Sequence, residues 1–227
     1  FLLPHGDKVK KCLLLFLIIT IFSSCGLFIK GFNEYKSAKN YQKQRNFYKA
    51  AFYASKSLKL NANNKKALYL FEKSYLAAID INESKIKNLE KIGNDSKWPK
   101  IYHLYDELKK LSNELDSIHS IIISYGLNLI PQDYSQELEK IGPLAAEYHY
   151  TKGLDYRKNK DKQSQKQAAY EFMKIQEFVP SYKNSIELYE EARAAAIFTL
   201  LIRPFEGKEN LVTYIRDQLM MVQSKKS

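Results

Sequence analysis

Apolar residues between positions 101 and 122 recur at alternating steps of three and four. An α-helix turns once every 3.6 residues, so this spacing places all of them on one side of a helix. The seam consists of Ile101, Leu104, Leu108, Leu111, Leu115, Ile118 and Ile122. It is short for an intermolecular coiled coil, which favours burial within the chain. The pattern therefore predicts one long helix with a buried side.

A second helix is predicted just before this seam, from about Lys65 to Ile92. Its apolar stripe consists of Phe71, Tyr75, Ala78, Leu89 and Ile92, interrupted by Asn82 and Lys85. The segment 93–96 is rich in turn residues, and Ser96 is a suitable N-cap for the next helix. The two helices are therefore expected to form an antiparallel hairpin. Glycine and proline together number only 14 in 227 residues, which also favours helices over strands and turns.

Two stretches of the sequence share a pattern of small and aromatic residues. In the first, at 35–67, these are Ala38, Tyr41 and Ala50, followed by the run 58–61. In the second they are Gly153, Tyr156, Ala168, Phe172 and Pro180, with about three additional residues between the helices. Both stretches resemble the tetratricopeptide repeat, a 34-residue unit of two antiparallel helices with small residues where the helices cross.

This resemblance implies an all-α fold in which antiparallel helical hairpins form a tetratricopeptide-like repeat array over residues 32–196. The first stretch departs from the family at Ala54, where an aromatic residue is usual, and at Ala62, where proline is usual. Helical hairpins without a repeat relationship are the alternative.

A different pattern begins after residue 196. Residues 197–202 (IFTLLI) are predicted to form a short strand, followed by Arg-Pro-Phe-Glu and a helix at about 208–222. This tail, 197–227, resembles the opening of a periplasmic α/β domain found in curli-secretion-type and penicillin-binding-protein-activator lipoproteins. That domain would need many more residues, so the tail is interpreted either as the start of a truncated domain or as an extension of the helical body.

The N-terminal region has the organisation of a secretion signal. Lys10 and Lys11 precede an apolar run at 12–22, and two small serines lead to Cys25. Small residues directly before a cysteine resemble the bacterial lipobox, although Phe22 replaces the usual leucine. The resemblance implies that residues 1–24 are a lipoprotein signal peptide and that Cys25 carries covalent diacylglycerol and acyl chains, its only expected cofactor. Residues 25–31 would then be a tether, and residues 1–8 would lie upstream of a start at Val9.

An uncleaved membrane anchor is the alternative to lipidation, because the apolar character continues from Cys12 to Ile29. In either case the body is expected outside the cytoplasm, since the lysines remain inside. Lipidation predicts an outer-membrane protein on the periplasmic face, whereas the anchor predicts an inner-membrane protein. A lipidated chain cleaved before Cys25 would retain no free thiol and no disulfide.

The net charge of +11 indicates an anionic partner, either lipid or nucleic acid. Only five of the basic residues are arginines, however, and bidentate recognition of phosphate or guanine favours arginine over lysine. The lysines are interpreted as solvated positions along helix surfaces, and no nucleic-acid partner is predicted.

No catalytic motif is found in the sequence: it contains no phosphate-binding loop, no His-Glu-x-x-His and no Gly-x-Ser-x-Gly. His103 and His119 share a predicted helix, but sixteen residues place them on opposite sides of it. We therefore expect no metal site, no catalytic residue and no enzymatic activity.

Tyrosine is abundant in both repeat-like stretches. Tyr41, Tyr48, Tyr53 and Tyr156 are candidate anchors for a protein partner, because tyrosine is common at binding hot spots; filling gaps between helices is the alternative role. The whole chain resembles helical-repeat lipoproteins of Bacteroidetes-like bacteria, which have no assigned reaction. The resulting hypothesis is a non-catalytic scaffold that binds an envelope protein. The alternatives are an accessory subunit of cell-wall synthesis or secretion with its C-terminal domain missing, and an uncharacterised envelope enzyme.

Overall fold

A computed structural model describes residues 30–197 of the chain, together with Thr213 and Ile215. Residues 30–197 form eight α-helices and one short 3₁₀ helix, with no strand in this range. The helices are α1 (Phe32–Lys43), α2 (Phe47–Leu60), α3 (Lys65–Glu90), α4 (Lys97–Ser117), α5 (His119–Ser124), α6 (Ser135–Arg157), α7 (Lys162–Lys174), the 3₁₀ helix Ile175–Glu177, and α8 (Ser185–Ala196). The predicted helical body is therefore confirmed for the described residues. Among them, no helix combines the length and the hydrophobicity needed to cross a membrane.

Several predicted features lie outside the described residues. These are the signal peptide at 1–24, the lipidation site Cys25, and the tail at 197–227 apart from three residues. Ile197, the first residue of the predicted strand, follows α8 in an extended conformation with φ −73° and ψ 136°. The other residues of that strand, 198–202, are among those not described.

The first three helices pack on one another in sequence order. Helix α2 contacts both α1 and α3, and α1 also touches α3. Ala38 of α1 and Ala51 and Ala54 of α2 are completely buried in one apolar cluster with Leu58 and Phe71. Alanine side chains allow helix axes to approach closely, which explains why these positions are small. We call α1–α3 the first unit.

Helices α6, α7 and α8 form a second unit in which α7 contacts both of its neighbours. Its core contains Ala146, Ala168 and Phe172, all completely buried. Helix α4 packs against α3 and also against α6, so it joins the two units. The hairpin predicted from the apolar seam therefore connects the two stretches that share the repeat-like pattern.

The seam itself is buried as predicted, but it does not form one continuous helix. Ile101, Leu108 and Leu111 are at most 1% exposed, as are Leu115, Ile118 and Ile122, while Leu104 is half-buried. The chain leaves the helical conformation at Ile118, with φ −119° and ψ 12°, and α5 starts at the next residue. The spacing of the apolar residues therefore identified the buried side of the helix correctly. It could not indicate the break at Ile118, because the same residues remain buried on both sides of the break.

Ser96 occupies the N-cap position of α4, as predicted, but it does not make the capping bond. Ser96 precedes α4, but its side chain caps no backbone N–H of that helix. Its hydroxyl instead donates to Asn94 Oδ1 within the turn. Side-chain caps are made by Asn46, Asn64 and Asp161, whose oxygens accept backbone N–H groups at the starts of α2, α3 and α7.

Candidate partner-binding surfaces

An open groove runs between α1 and α3 in the first unit. Its volume is about 360 Å³, and it is lined by Tyr35, Lys39, Gln42, Lys65, Lys66, Tyr69 and Leu70. The α1 residues of this set are four and three positions apart, which places them on one side of that helix. Tyr69 is 64% exposed, so its ring is available to a bound molecule. We call this the α1–α3 groove.

The α1–α3 groove is basic. Lys39, Lys65 and Lys66 are all exposed, and none of them forms an ion pair with another described residue. No carboxylate is among the residues that line the groove. Ammonium groups beside aromatic rings suit a ligand that has carboxylates and apolar side chains together.

In the second unit, side chains bridge α6 and α8, the two helices that the repeat-like sequence pattern aligns with α1 and α3. Arg157 Nη2 donates to Glu191 Oε2 at 2.8 Å. Near the other end of this position, the Tyr150 hydroxyl donates to Asn184 Oδ1 at 2.7 Å. Both bonds connect α6 to the segment at α8, so a ligand would have to displace them. The two units therefore differ in whether this position is open.

A second surface, formed by the outer side of α2 and by Tyr41 of α1, combines lysines with aromatic rings. Tyr41 and Tyr53 are stacked with ring centroids 5.3 Å apart, and Phe52 meets Tyr53 edge-on. Lys49 Nζ lies 5.3 Å from the centre of the Tyr41 ring, and Lys56 Nζ lies 4.4 Å from that of Phe52. These five residues are the lysine–aromatic face.

The four candidate tyrosines thus occupy three places. Tyr41 and Tyr53 lie together on the lysine–aromatic face. Tyr48 is half-buried beside a separate polar pocket, and burial raises the pKa of its hydroxyl. Tyr156 packs against the core of the second unit, with Lys152 Nζ 6.0 Å from its ring centre.

The sequence interpretation did not identify Tyr69 as a candidate. Tyr35 and Tyr69 are 34 residues apart, the length of one tetratricopeptide repeat, and they line the same groove. The repeat-like stretch at 35–67 ends before Tyr69, so the pattern within it does not include this residue.

The start of the first unit is fixed by a buried serine. The Ser57 hydroxyl donates to the carbonyl of Gly31 at 2.7 Å and accepts from Asn64 Nδ2 at 3.1 Å. Asn64 at the same time caps α3 through its Oδ1 atom. Ser57 is completely buried and Gly31 is buried as well, so water is not at hand to replace the bond between them. The Gly31 carbonyl also accepts from the Tyr35 N–H at 3.0 Å. The Ser57 side chain on α2 therefore links the N-terminal starts of α1 and α3.

A buried carboxylate lies inside the second unit. The side chain of Glu171 is 4% exposed and contacts His149 Nδ1 at 2.6 Å and Lys152 Nζ at 2.7 Å. The imidazole of His149 also stacks on Phe178, with centroids 5.3 Å apart. These contacts compensate the charge of Glu171 and tie α7 to α6. The cluster therefore has a structural role in holding the unit together.

Within the described range, no three side chains among His, Cys, Asp and Glu lie close enough to hold a metal ion. The expectations that the chain has no metal, no cofactor beyond lipid and no enzymatic activity stay predictions. The chain matches no protein-family model, and it has no significant similarity to a curated protein or to a solved structure. Its function is therefore argued from the groove and the lysine–aromatic face.

Proposed function

We propose that this chain is an envelope lipoprotein, held to a membrane through lipid on Cys25, that serves as a non-catalytic scaffold for a protein partner. Its helical units are of the tetratricopeptide type. Two features support this classification: the sequential packing of three helices in each unit, and the spacing of 34 residues between Tyr35 and Tyr69. The binding site is the α1–α3 groove.

The observation that carries this proposal is the difference between the two units. The position between α6 and α8 is bridged by the Arg157–Glu191 pair and by Tyr150, whereas the α1–α3 groove is open and its lysines form no ion pair with any other described residue. A partner segment with carboxylates would neutralise these lysines and lay apolar side chains on Tyr35 and Tyr69. Tyrosine contributes large contact area at a low entropic cost, which suits this role.

Site-specific crosslinking tests this proposal in intact cells. A photoreactive amino acid replaces Tyr69 in the groove, and in a separate strain it replaces Tyr170 of α7, which is 50% exposed. We expect a discrete crosslinked protein from position 69 and none from position 170. Equal crosslinking from both positions, or none from position 69, would reject the groove as the binding site.

Charge reversal gives an independent test of the same groove. The double substitution Lys39→Glu and Lys66→Glu places carboxylates in the groove, and we expect the crosslink from position 69 to fall at least about tenfold because like charges repel. The matched control is Lys160→Glu with Lys166→Glu, which makes the same change of charge at exposed positions of the second unit. A similar loss in both variants would show that only net charge matters.

The lipid anchor is tested at Cys25. We expect Cys25→Ser to abolish incorporation of radiolabelled palmitate and cleavage of the precursor. If the variant is processed like the parent and remains with membranes, the uncleaved anchor replaces the lipid in this proposal.

A further inference from the structure

The net positive charge of the described residues comes from the first unit. Residues 30–90 contain 13 lysines and arginines against five acidic residues, whereas residues 91–197 contain 15 against 16. Within the described part of the chain, only Lys59 among those 13 forms an ion pair, with Glu114. The excess charge is therefore a local property of the first unit and is largely uncompensated by other described residues.

The hairpin of α1 and α2 has the strongest imbalance. Residues 30–64 contain eight basic side chains, and Glu34 is the single acidic one. Lys49 and Lys56, on the outer side of α2, lie over the aromatic rings of the lysine–aromatic face. Tyrosine and phenylalanine rings are favoured at the level of lipid headgroups, and lysines at that level pair with anionic phosphates. The composition of this face fits a membrane surface.

The position of the chain entry points to the same surface. The Gly31 carbonyl is bonded to Ser57, the neighbour of Lys56, so the chain enters the body beside the end of the lysine–aromatic face. Cys25 lies six residues before Gly31, and a fully extended chain of that length spans at most about 20 Å. A lipid on Cys25 would therefore keep the first unit close to the bilayer.

We propose that the lysine–aromatic face lies against anionic phospholipid headgroups of the membrane that holds the anchor. This rests on the anchoring part of the proposed function and is independent of the partner in the groove. The basic face adds a second attachment to the acyl chains, as lipid anchors combined with basic patches do. It also fixes the orientation of the body, so that the α1–α3 groove and the second unit keep a constant direction relative to the membrane.

Lysine acylation of the reconstituted full chain tests this orientation. The chain is purified from membranes in detergent and placed in vesicles of neutral phosphatidylcholine, or of the same lipid with anionic phosphatidylglycerol. The labelling rates of Lys49 and Lys56 are measured by mass spectrometry, with Lys100 and Lys160 as exposed references in the same molecule. We expect Lys49 and Lys56 to be labelled at least about tenfold more slowly on anionic vesicles only, and high salt to remove this protection.

Two variants distinguish the face from net charge. On anionic vesicles, the parent should protect Phe52 from a water-soluble oxidising footprint reagent. The double variant Lys49→Gln with Lys56→Gln should lose this protection, and the control Lys87→Gln with Lys91→Gln should keep it. All four lysines are exposed, so neither double variant should unfold the chain.

Equal labelling on neutral and anionic vesicles would overturn the proposal. Protection that appears only after an envelope extract is added would also overturn it and assign the face to an acidic protein. The palmitate experiment tests the anchor and the crosslinking experiment tests the groove. A failure of either is therefore distinguishable from a failure of the membrane contact proposed for the lysine–aromatic face.

Discussion

The ring of Phe172 lies directly against the backbone of Gly153 in the second unit. A Cβ atom built on Gly153 would stand 2.6 Å from Phe172 Cε1 and 2.8 Å from Cζ, far inside van der Waals contact. Phe172 is completely buried, so its ring cannot move into solvent. In the first unit, the positions that the repeat-like sequence pattern aligns with these two are Ala38 and Ala54, and both are completely buried. The large ring in one unit is thus matched by the absence of a side chain opposite it.

Gly153→Ala should therefore destabilise the protein. The added methyl group overpacks the contact with Phe172, and we expect the free energy of unfolding to fall by about 1–3 kcal/mol. Urea unfolding of the full chain in detergent, followed by circular dichroism, measures the loss. Gly93→Ala is the matched control, since a Cβ there meets nothing within 4 Å. A loss of similar size in the control, or no loss in Gly153→Ala, would contradict this account of the contact.

The pair can also be tested by compensation. In Gly153→Ala combined with Phe172→Leu, the smaller side chain makes room for the methyl group. We expect the double variant to lose less stability than the sum of the two single variants, because contacting residues couple. Additive losses would mean that the two side chains act independently.

Ser57→Ala should destabilise the first unit by about 1–3 kcal/mol, because it removes a buried bond to the Gly31 carbonyl and the bond to the Asn64 amide at the same time. Thermal unfolding of the full chain measures this change. Ser124→Ala is the control: Ser124 is exposed and its hydroxyl bonds only to Ile121 of its own helix. The control should stay within about 0.5 kcal/mol of the parent. Indistinguishable losses in the two variants would remove the special role assigned to Ser57.

Glu171→Ala should destabilise the second unit. The substitution leaves His149 and Lys152 without their common carboxylate partner and creates a gap between α6 and α7, and we expect a loss of about 1–3 kcal/mol. Glu171→Gln keeps the shape and can still accept a hydrogen bond, so it should lose less. The comparison is made by urea unfolding at neutral pH. A glutamine variant as unstable as the alanine variant would indicate that the charge, and not the packing, dominates.

Stability should also fall at alkaline pH through Tyr134. This residue is 3% exposed, and burial, followed by the charge of Glu83, raises the pKa of its hydroxyl from 10.0 to about 12. The unfolded chain loses this proton at a lower pH than the folded chain does. The stabilising contribution is therefore complete below pH 10 and is lost as the pH rises towards 12.

Tyr134→Phe isolates this contribution from the other groups that titrate in the same range. We expect the stability of the parent relative to the variant to fall by about 2 kcal/mol between pH 9 and 12, as the shift in pKa requires. The phenylalanine keeps the packing and loses only the hydrogen bond to Gln132. Urea unfolding of both proteins across this range provides the measurement. Parallel pH profiles would show that the Tyr134 hydroxyl titrates normally.

The helical fold could be predicted from the sequence because it follows from apolar periodicity. The seam from Ile101 to Ile122 identified the buried side of α4, and the turn at 93–96 identified the hairpin. The break at Ile118 could not be predicted, since the same side chains are buried with or without it. The N-cap position of Ser96 was predicted, but its capping bond is absent because the hydroxyl donates to Asn94 Oδ1 instead.

The candidate surfaces were only partly predictable. Tyr41 and Tyr53 were identified by the abundance of tyrosine, and the packing of α1 against α2 brings their rings together. The open groove was not predicted, because it depends on which charged residues meet across two helices. Arg157 and Glu191 form an ion pair in the second unit, whereas Lys39 forms none with a described residue. Whether two such residues come within bonding distance depends on the three-dimensional packing of the helices.

The bond between Ser57 and Gly31 determines how a mechanical load would enter the body. A pull on the N-terminal end of the chain reaches the described residues at Gly31, whose carbonyl is held by a side chain of α2. Ser57 passes part of that load to Asn64 and hence to the start of α3. Helix α1 is therefore loaded together with its two neighbours and not peeled off alone, so the first three helices should resist tension as one mechanical element.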